Sequence, residues 1–202
     1  MKNGKLILLR HAEFVKPIPG AYYGQSNLPL TEHGEAQARA LAWLIARIEP
    51  SISRVYSSDL VRARRTAELA LPGADIIDNA ALREMSFGEW EGFSFKDISG
   101  RAGYDAFARG EGAPGGESEA AFADRVCAAM DGIMRESEGN VAVVAHAGVI
   151  RHAAAHLIGL EAAQNWRFKV DMASLSVITV ADGYAYLSAL NLSADLFACG
   201  GD

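Results

Sequence analysis

Short, near-continuous apolar runs alternate along this chain with longer stretches in which apolar residues recur every three or four positions. Residues 5–9 (KLILL), 54–57 (RVYS) and 140–145 (NVAVVA) are aliphatic or β-branched and each ends in a polar turn, the pattern of strands covered on both faces. Residues 31–48 place Ala36, Leu41, Leu44, Ile45 and Ile48 near helical spacing, with Thr31 as N-cap and Pro50 just past the end, which predicts an amphipathic helix. Residues 59–71 and 118–135 read the same way, and residues 149–157 begin another helix directly after a strand.

Strands alternating with helices imply a mostly parallel sheet with helices on both faces and right-handed crossovers. The expected class is therefore α/β, a three-layer αβα sandwich. Residues 174–191 hold two strand-like runs around Asp182-Gly183, a hairpin signal that predicts an antiparallel pair closing one edge of the sheet. Residues 94–116 differ, with six glycines, weak periodicity and the turn-rich Ala113-Pro114-Gly115-Gly116. They are expected to form a partly helical, lid-like excursion within a single domain spanning 1–202.

Composition narrows what such a domain can do. The 202 residues suit one α/β domain with a buried core and are too few for two of ordinary size. A formal net charge of −6 argues against a general nucleic-acid binder, which needs a basic face to displace counterions. An anionic substrate would have to be held by a local basic pocket. Cys127 and Cys199 are too few for a disulfide framework. No charged-then-apolar leader and no bilayer-length apolar stretch is evident. The expectation is a cytoplasmic protein acting on a small molecule, with no nucleic-acid or membrane partner, as a monomer or a homodimer.

In open α/β sheets, ligands bind beyond the carboxyl ends of the strands. The first strand runs out into Arg10-His11-Ala12-Glu13, and the strand ending at Ala145 runs out into His146-Ala147-Gly148. If the two are parallel neighbours, their imidazoles meet at one edge, where Gly148 and the helix start would also offer free N–H groups to an anion. Between them, Tyr56-Ser57-Ser58-Asp59-Leu60-Val61-Arg62 turns from a strand into a helix. Arg10 and Arg62 could aim forked N–H donors at one tetrahedral anion. Glu84 lies in Leu82–Gly92 (LREMSFGEWEG) beside Met85, Phe87 and Trp90, apolar company that would favour its protonated form.

These are the parts that phosphoryl transfer needs: an imidazole to attack phosphorus, fixed donors for the equatorial oxygens, and an acid for the leaving group. The chemistry calls for no metal and no other cofactor. Leu9–Glu13, the segment YSSDLVRARRTA from Tyr56, LREMSFGEWEG from Leu82, Pro114–Ser118 (PGGES) and Val144–Arg151 (VAHAGVIR) resemble, in order, the signatures of the histidine phosphatase superfamily. The resemblance implies His11 as phosphate acceptor, Arg10 and Arg62 as clamps, His146 as second histidine and Glu84 as proton donor. It also implies a phosphomonoesterase working through a phosphohistidine. The rival readings are a phosphoglycerate mutase and a non-catalytic relative that binds a phosphorylated ligand.

Two departures from the family pattern stand out. Ala12 replaces a common Gly, and Phe14-Val15-Lys16-Pro17 lacks the Asn that mutase-like members use to bind phosphate, leaving Lys16 as a candidate substitute. The loop Pro19–Leu30 (PGAYYGQSNLPL) is similar to that of bacterial α-ribazole phosphatases, which makes α-ribazole 5′-phosphate a candidate substrate beside sugar phosphates and nucleotides. The expected substrate-binding set is Arg10, Arg62, His146, Ala147, Tyr23, Gly24 and Trp90. Tyr22, Tyr23, Trp90, Phe93 and Phe107 could grip an organic leaving group, and each could equally be core or lid packing. Glu13 is a competing acid, and Glu84 could instead pair with Arg83. His152 and His156 have the four-residue spacing of a metal pair but lack a third ligand, so a helix-packing role is expected.

Overall fold

The computed structural model describes residues 1–49 and 51–194. Pro50 and Cys199 lie outside the described residues. β1 (Gly4–Arg10), β2 (Ile52–Ser57) and β4 (Asn140–Ala145) sit where the apolar runs predict them. α1 (Glu32–Ile48), α2 (Val61–Ala70), α5 (Glu119–Glu136) and α6 (Ala147–Leu157) follow the helical periodicity. Thr31 and Ser118 cap α1 and α5, their hydroxyl oxygens accepting from Gly34 N and Ala121 N.

The six-stranded sheet has the order β3-β2-β4-β1-β5-β6. β3 (Ile76–Asp78), β2, β4 and β1 are parallel neighbours, whereas β5 (Ser174–Ala181) runs antiparallel to both β1 and β6 (Tyr184–Ser193). Asp182 and Gly183 take φ of 51° and 81° between β5 and β6. Two consecutive positive φ angles make a type I′ turn, whose twist suits a two-residue hairpin.

Period-two alternation divides the core into two layers. From β1 and β4, Leu6, Leu8, Val141 and Val143 pack with Phe122, Val126 and Met130 of α5 and Val149 and Ile150 of α6. The intervening Ile7, Leu9, Ala142 and Val144 pack with Ala38, Leu41, Leu44 and Ile45 of α1 and Ala63 and Ala67 of α2. One expectation fails here. Ala36 is exposed and the buried stripe of α1 starts at Gly34 and Ala38, because five residues before Leu41 is well over a third of a turn away from it. Gly34 has a packing reason, since a Cβ there would stand 1.9 Å from Glu13 O, on the segment leaving β1.

Residues 94–116 carry two short helices, α3 (Phe95–Ile98) and α4 (Tyr104–Ala108). Trp90, Ile98 and Ala113 form a small separate core there, against Tyr22, Phe93, Tyr104 and Phe107. Among the described residues no helix is long and apolar enough to cross a membrane.

Candidate active site

Sheet register alone brings the two histidines together. Arg10 pairs with Ala145 across the parallel β1–β4 ladder, so His11 and His146 leave the sheet side by side. His11 N–H donates to Ala145 O at 2.9 Å, and the two rings lie 5.0 Å apart, centroid to centroid. Both side chains are buried.

His11 Nδ1 lies 2.8 Å from the carbonyl oxygen of Ala12. A carbonyl only accepts, so Nδ1 carries the ring proton and the lone pair of Nε2 is exposed for reaction. Burial, reinforced by Arg62 and Arg10, pushes the His11 pKa well below the ordinary histidine value, so the ring is neutral at pH 7. The Ala12 methyl that departs from the family pattern is fully buried in the layer facing α1 and α2. Its amide donates to Thr66 Oγ1 of α2 at 3.0 Å.

Arg62 stands in the first turn of α2 with its guanidinium buried. Nη1 donates to Ser26 O at 2.7 Å and Nη2 to Gly24 O at 2.5 Å, while the group lies 5.1 Å from the Phe14 ring centroid. Arg10 is fixed by Nη1 donating to Val170 O at 2.6 Å. Burial lowers both pKa values, that of Arg62 to about 10, and both stay charged at neutral pH. Arg10 Nε, Arg62 Nε and His146 Nδ1 are buried without a partner among the described residues. Buried polar atoms are rarely left so, and these three belong to groups whose fields act on one another around His11. The arrangement suits an anion.

The loop that holds Arg62 is itself built on Glu91. Its carboxylate accepts from the backbone N–H groups of Gly24, Gln25, Ser26 and Phe87 and from the Ser26 hydroxyl. Gly24 fits because any Cβ would stand 1.8 Å from Met85 O. Glu91 lies in the segment LREMSFGEWEG, where no spacing or motif marks it for this role.

Glu84 has company other than the apolar one expected. Its Oε2 accepts from Gly148 N and its Oε1 from Met85 N, each at 3.1 Å. Gly148 N–H is therefore not free for an anion, a correction to the sequence reading. A Cβ at 148 would stand 2.3 Å from Glu84 Oε1, so glycine is what admits the carboxylate. Arg83 does not pair with Glu84 but with Asp59, through Nε at 2.7 Å and Nη2 at 2.5 Å. The backbone around Glu84 is gripped by Arg125 of α5, whose Nη1 donates to Ala81 O and Arg83 O at 2.9 Å. Arg125 in turn pairs with Glu117 at 2.6 Å, which accepts from Ser86 N at 2.9 Å. Glu117 lies in the quoted PGGES segment, a signal that was present and unread; nothing marked Arg125.

The remaining candidates separate. Ala147 opens α6 directly behind His146. Tyr23 packs edge-on to Phe14, and its hydroxyl accepts from Ile18 N at 2.8 Å. Trp90 is only 3% exposed and packs on Phe107, which gives it a place in the small core and no open face for a leaving group. Lys16 lies 5.1 Å from the Phe14 ring centroid, and its charge reaches His11. Glu13 accepts from Thr31 Oγ1 at 2.8 Å, which ties it to the start of α1. His152 and His156 meet Glu119 and Asp131, respectively. Among the described residues no group of His, Cys, Asp and Glu could hold a metal ion.

Comparison with known proteins bears on this site. Residues 6–193 match the family model described as histidine phosphatase superfamily (branch 1). The adenosylcobalamin/alpha-ribazole phosphatase of Salmonella typhimurium is 34% identical over 195 residues, covering 93% of this chain and 96% of that one. Phosphoserine phosphatase 1 of Hydrogenobacter thermophilus is 31% identical, covering 95% and 94%. The crystal structure of the alpha-ribazole phosphatase from Shigella flexneri superposes with a TM-score of 0.83 at 31% identity, covering 93% of this chain and 96% of that one.

Proposed function

Because this chain belongs to the histidine phosphatase superfamily and is a phosphatase, we propose that it hydrolyses a small phosphate monoester through a phosphorylated His11. The observation that carries this reading is the hydrogen bond from His11 Nδ1 to Ala12 O. It leaves a neutral imidazole with Nε2 as the reactive atom.

His11 Nε2 attacks phosphorus in line as the ester P–O bond breaks. Arg10, Arg62 and His146 donate to the equatorial oxygens, whose charge persists through the transfer. Glu84 gives its proton to the leaving oxygen. A water molecule then passes a proton to Glu84 and attacks phospho-His11, which releases inorganic phosphate and restores both groups. Residues 94–116 serve as a lid on the leaving-group side, seated by the small core around Trp90 and Phe107.

Replacing Glu84 by Gln tests the acid role. The rate on an alkyl phosphate should fall on the order of a hundredfold or more, whereas an aryl phosphate, whose leaving group needs little protonation, should lose far less. A uniform loss on both would remove Glu84 from this role.

Among monoesters we propose α-ribazole 5′-phosphate as the substrate. The loop similarity of residues 19–30 and the names of the Salmonella and Shigella relatives support it. Phosphate release across a panel that includes α-ribazole phosphate, phosphoserine, 3-phosphoglycerate, sugar phosphates and nucleotides is the test. The expected result is the highest kcat/KM on α-ribazole phosphate. A higher value on another monoester would replace it, and phosphoglycerate isomer formed without net phosphate would make the chain a mutase.

A further inference from the structure

The two histidines at the centre of the site have opposite hydrogen-bonding surroundings. His11 gives its ring proton on Nδ1 to a carbonyl. His146 has one ring partner, Ser58 Oγ, 2.9 Å from Nε2. Its other nitrogen, Nδ1, is buried with no partner among the described residues.

We propose that Ser58 is a positioning residue that fixes His146 as its Nδ1–H tautomer, turning the buried imidazole into a donor for a phosphoryl oxygen. Sheet register puts the serine in place. β2 pairs with β4 through Ser57 and Val144, and the next residue, Ser58, donates its own amide to Val144 O at 2.9 Å. The Ser58 side chain therefore stands beside the residues that follow Ala145.

The direction of the Ser58–His146 bond follows from counting donors. Ser58 is fully buried. Its oxygen already accepts from Leu60 N–H at 3.3 Å, and among the described residues its other side-chain partner is His146 Nε2. Were Nε2 to carry the proton, the serine hydroxyl hydrogen would be buried with no acceptor even with an anion in the site, whereas with the proton on Nδ1 the one unpaired hydrogen sits on the imidazole, where a phosphoryl oxygen can accept it. The arrangement that a bound phosphoryl group completes has the serine O–H donating to a bare Nε2. A neutral imidazole must then hold its proton on Nδ1.

The chemical consequence is a division of labour between two neutral rings 5.0 Å apart. One presents a lone pair to phosphorus, and the other presents an N–H to oxygen. With the opposite tautomer, His146 would point a lone pair at an anionic oxygen and oppose binding. Burial and the neighbouring charges of Arg62 and Arg10 keep this ring neutral, so tautomer choice, not protonation, decides its polarity. This inference rests on the proposed function, because a bound phosphoryl oxygen is what pairs the Nδ1 hydrogen, so the tautomer is read with inorganic phosphate in the site.

Nitrogen-15 NMR of the full chain with labelled histidine reads the tautomer directly. In the wild type, His146 should show a pyrrole-type Nδ1 and a pyridine-type Nε2, and Ser58→Ala should move Nε2 toward the pyrrole type. In kinetics with an aryl phosphate, Ser58→Ala should cost on the order of tenfold in kcat/KM. Placed in a His146→Ala background, the same substitution should change kcat/KM by no more than about twofold, because the serine would have nothing to act through. A pyrrole-type Nε2 on wild-type His146 would overturn the proposal, as would an undiminished serine effect once His146 is gone. Failure of the phosphohistidine reading would be seen elsewhere, as turnover that survives loss of His11.

Discussion

Replacing His11 by Ala should lower kcat on an aryl phosphate by on the order of 10⁴-fold or more. No neighbouring group can take over the attack. His146 is the nearest imidazole, but its Nε2 is occupied by Ser58, and its ring stands a full ring spacing from where the His11 nitrogen lies. Arg10, Arg62 and Lys16, which surround the position, are cations and cannot act as nucleophiles. Residual hydrolysis would come from donors that still bind phosphate and polarise it for attack by water. Because His11 is buried, the variant needs a stability control. An unchanged circular dichroism spectrum and retained binding of inorganic phosphate would assign the loss to chemistry. Rates within tenfold of wild type would remove His11 as the nucleophile.

Loss of Arg62 should be the next largest effect. Its charge persists in the buried site, with a pKa lowered only to about 10, and two of its nitrogens are pinned by Gly24 and Ser26 carbonyls. A donor pinned before substrate arrives needs no reorganisation during reaction, and this is why such groups act strongly in the transition state. Arg62→Ala should reduce kcat/KM by on the order of a hundredfold or more, and Arg62→Lys should recover little of it. Lysine brings the charge but not the fork that satisfies two carbonyls and still faces an anion. The same fork explains a wider reach for the substitution. Gly24 O and Ser26 O would lose their donors, so the loop built on Glu91 should loosen and KM should rise along with the fall in kcat. A change confined to KM would indicate uniform binding and no special action in the transition state.

What could be read from the chain and what could not divide along a physical line. Local signals carried well. The Thr31 and Ser118 caps mark helix starts because their side chains replace backbone partners within three residues. Asp182-Gly183 marks the hairpin because few residues tolerate its positive φ angles. The apolar run at residues 140–145 coincides with β4 because a strand buried on both faces has nowhere to place a polar side chain. β3 escaped notice because three residues at a sheet edge carry no periodicity. The pairing of His11 with His146 was legible as a condition on strand order, and the β1–β4 register meets that condition.

The supporting contacts were not legible. Glu91 meets Gly24 across 67 residues of sequence, Arg125 meets Ala81 across 44, and His146 meets Ser58 across 88. Such pairs leave no periodic trace, and nothing in spacing tells a carboxylate that holds a loop from one on a solvated surface. Trp90 illustrates an ambiguity of the same kind. An aromatic residue beside candidate chemistry reads equally as a substrate grip or as packing, and this ring completes a small core with Ile98 and Ala113.

If phosphate passes through His11, the phosphorylated side chain can be trapped. The enzyme would be mixed with an excess of monoester, quenched in alkali within one turnover, digested and mapped by mass spectrometry. The expected result is a phosphoryl group on the peptide carrying His11, formed in step with a burst of released alcohol, present in Glu84→Gln and absent from His11→Ala. Turnover with no phosphorylated peptide at any time point, or the phosphoryl group on a different residue, would contradict it.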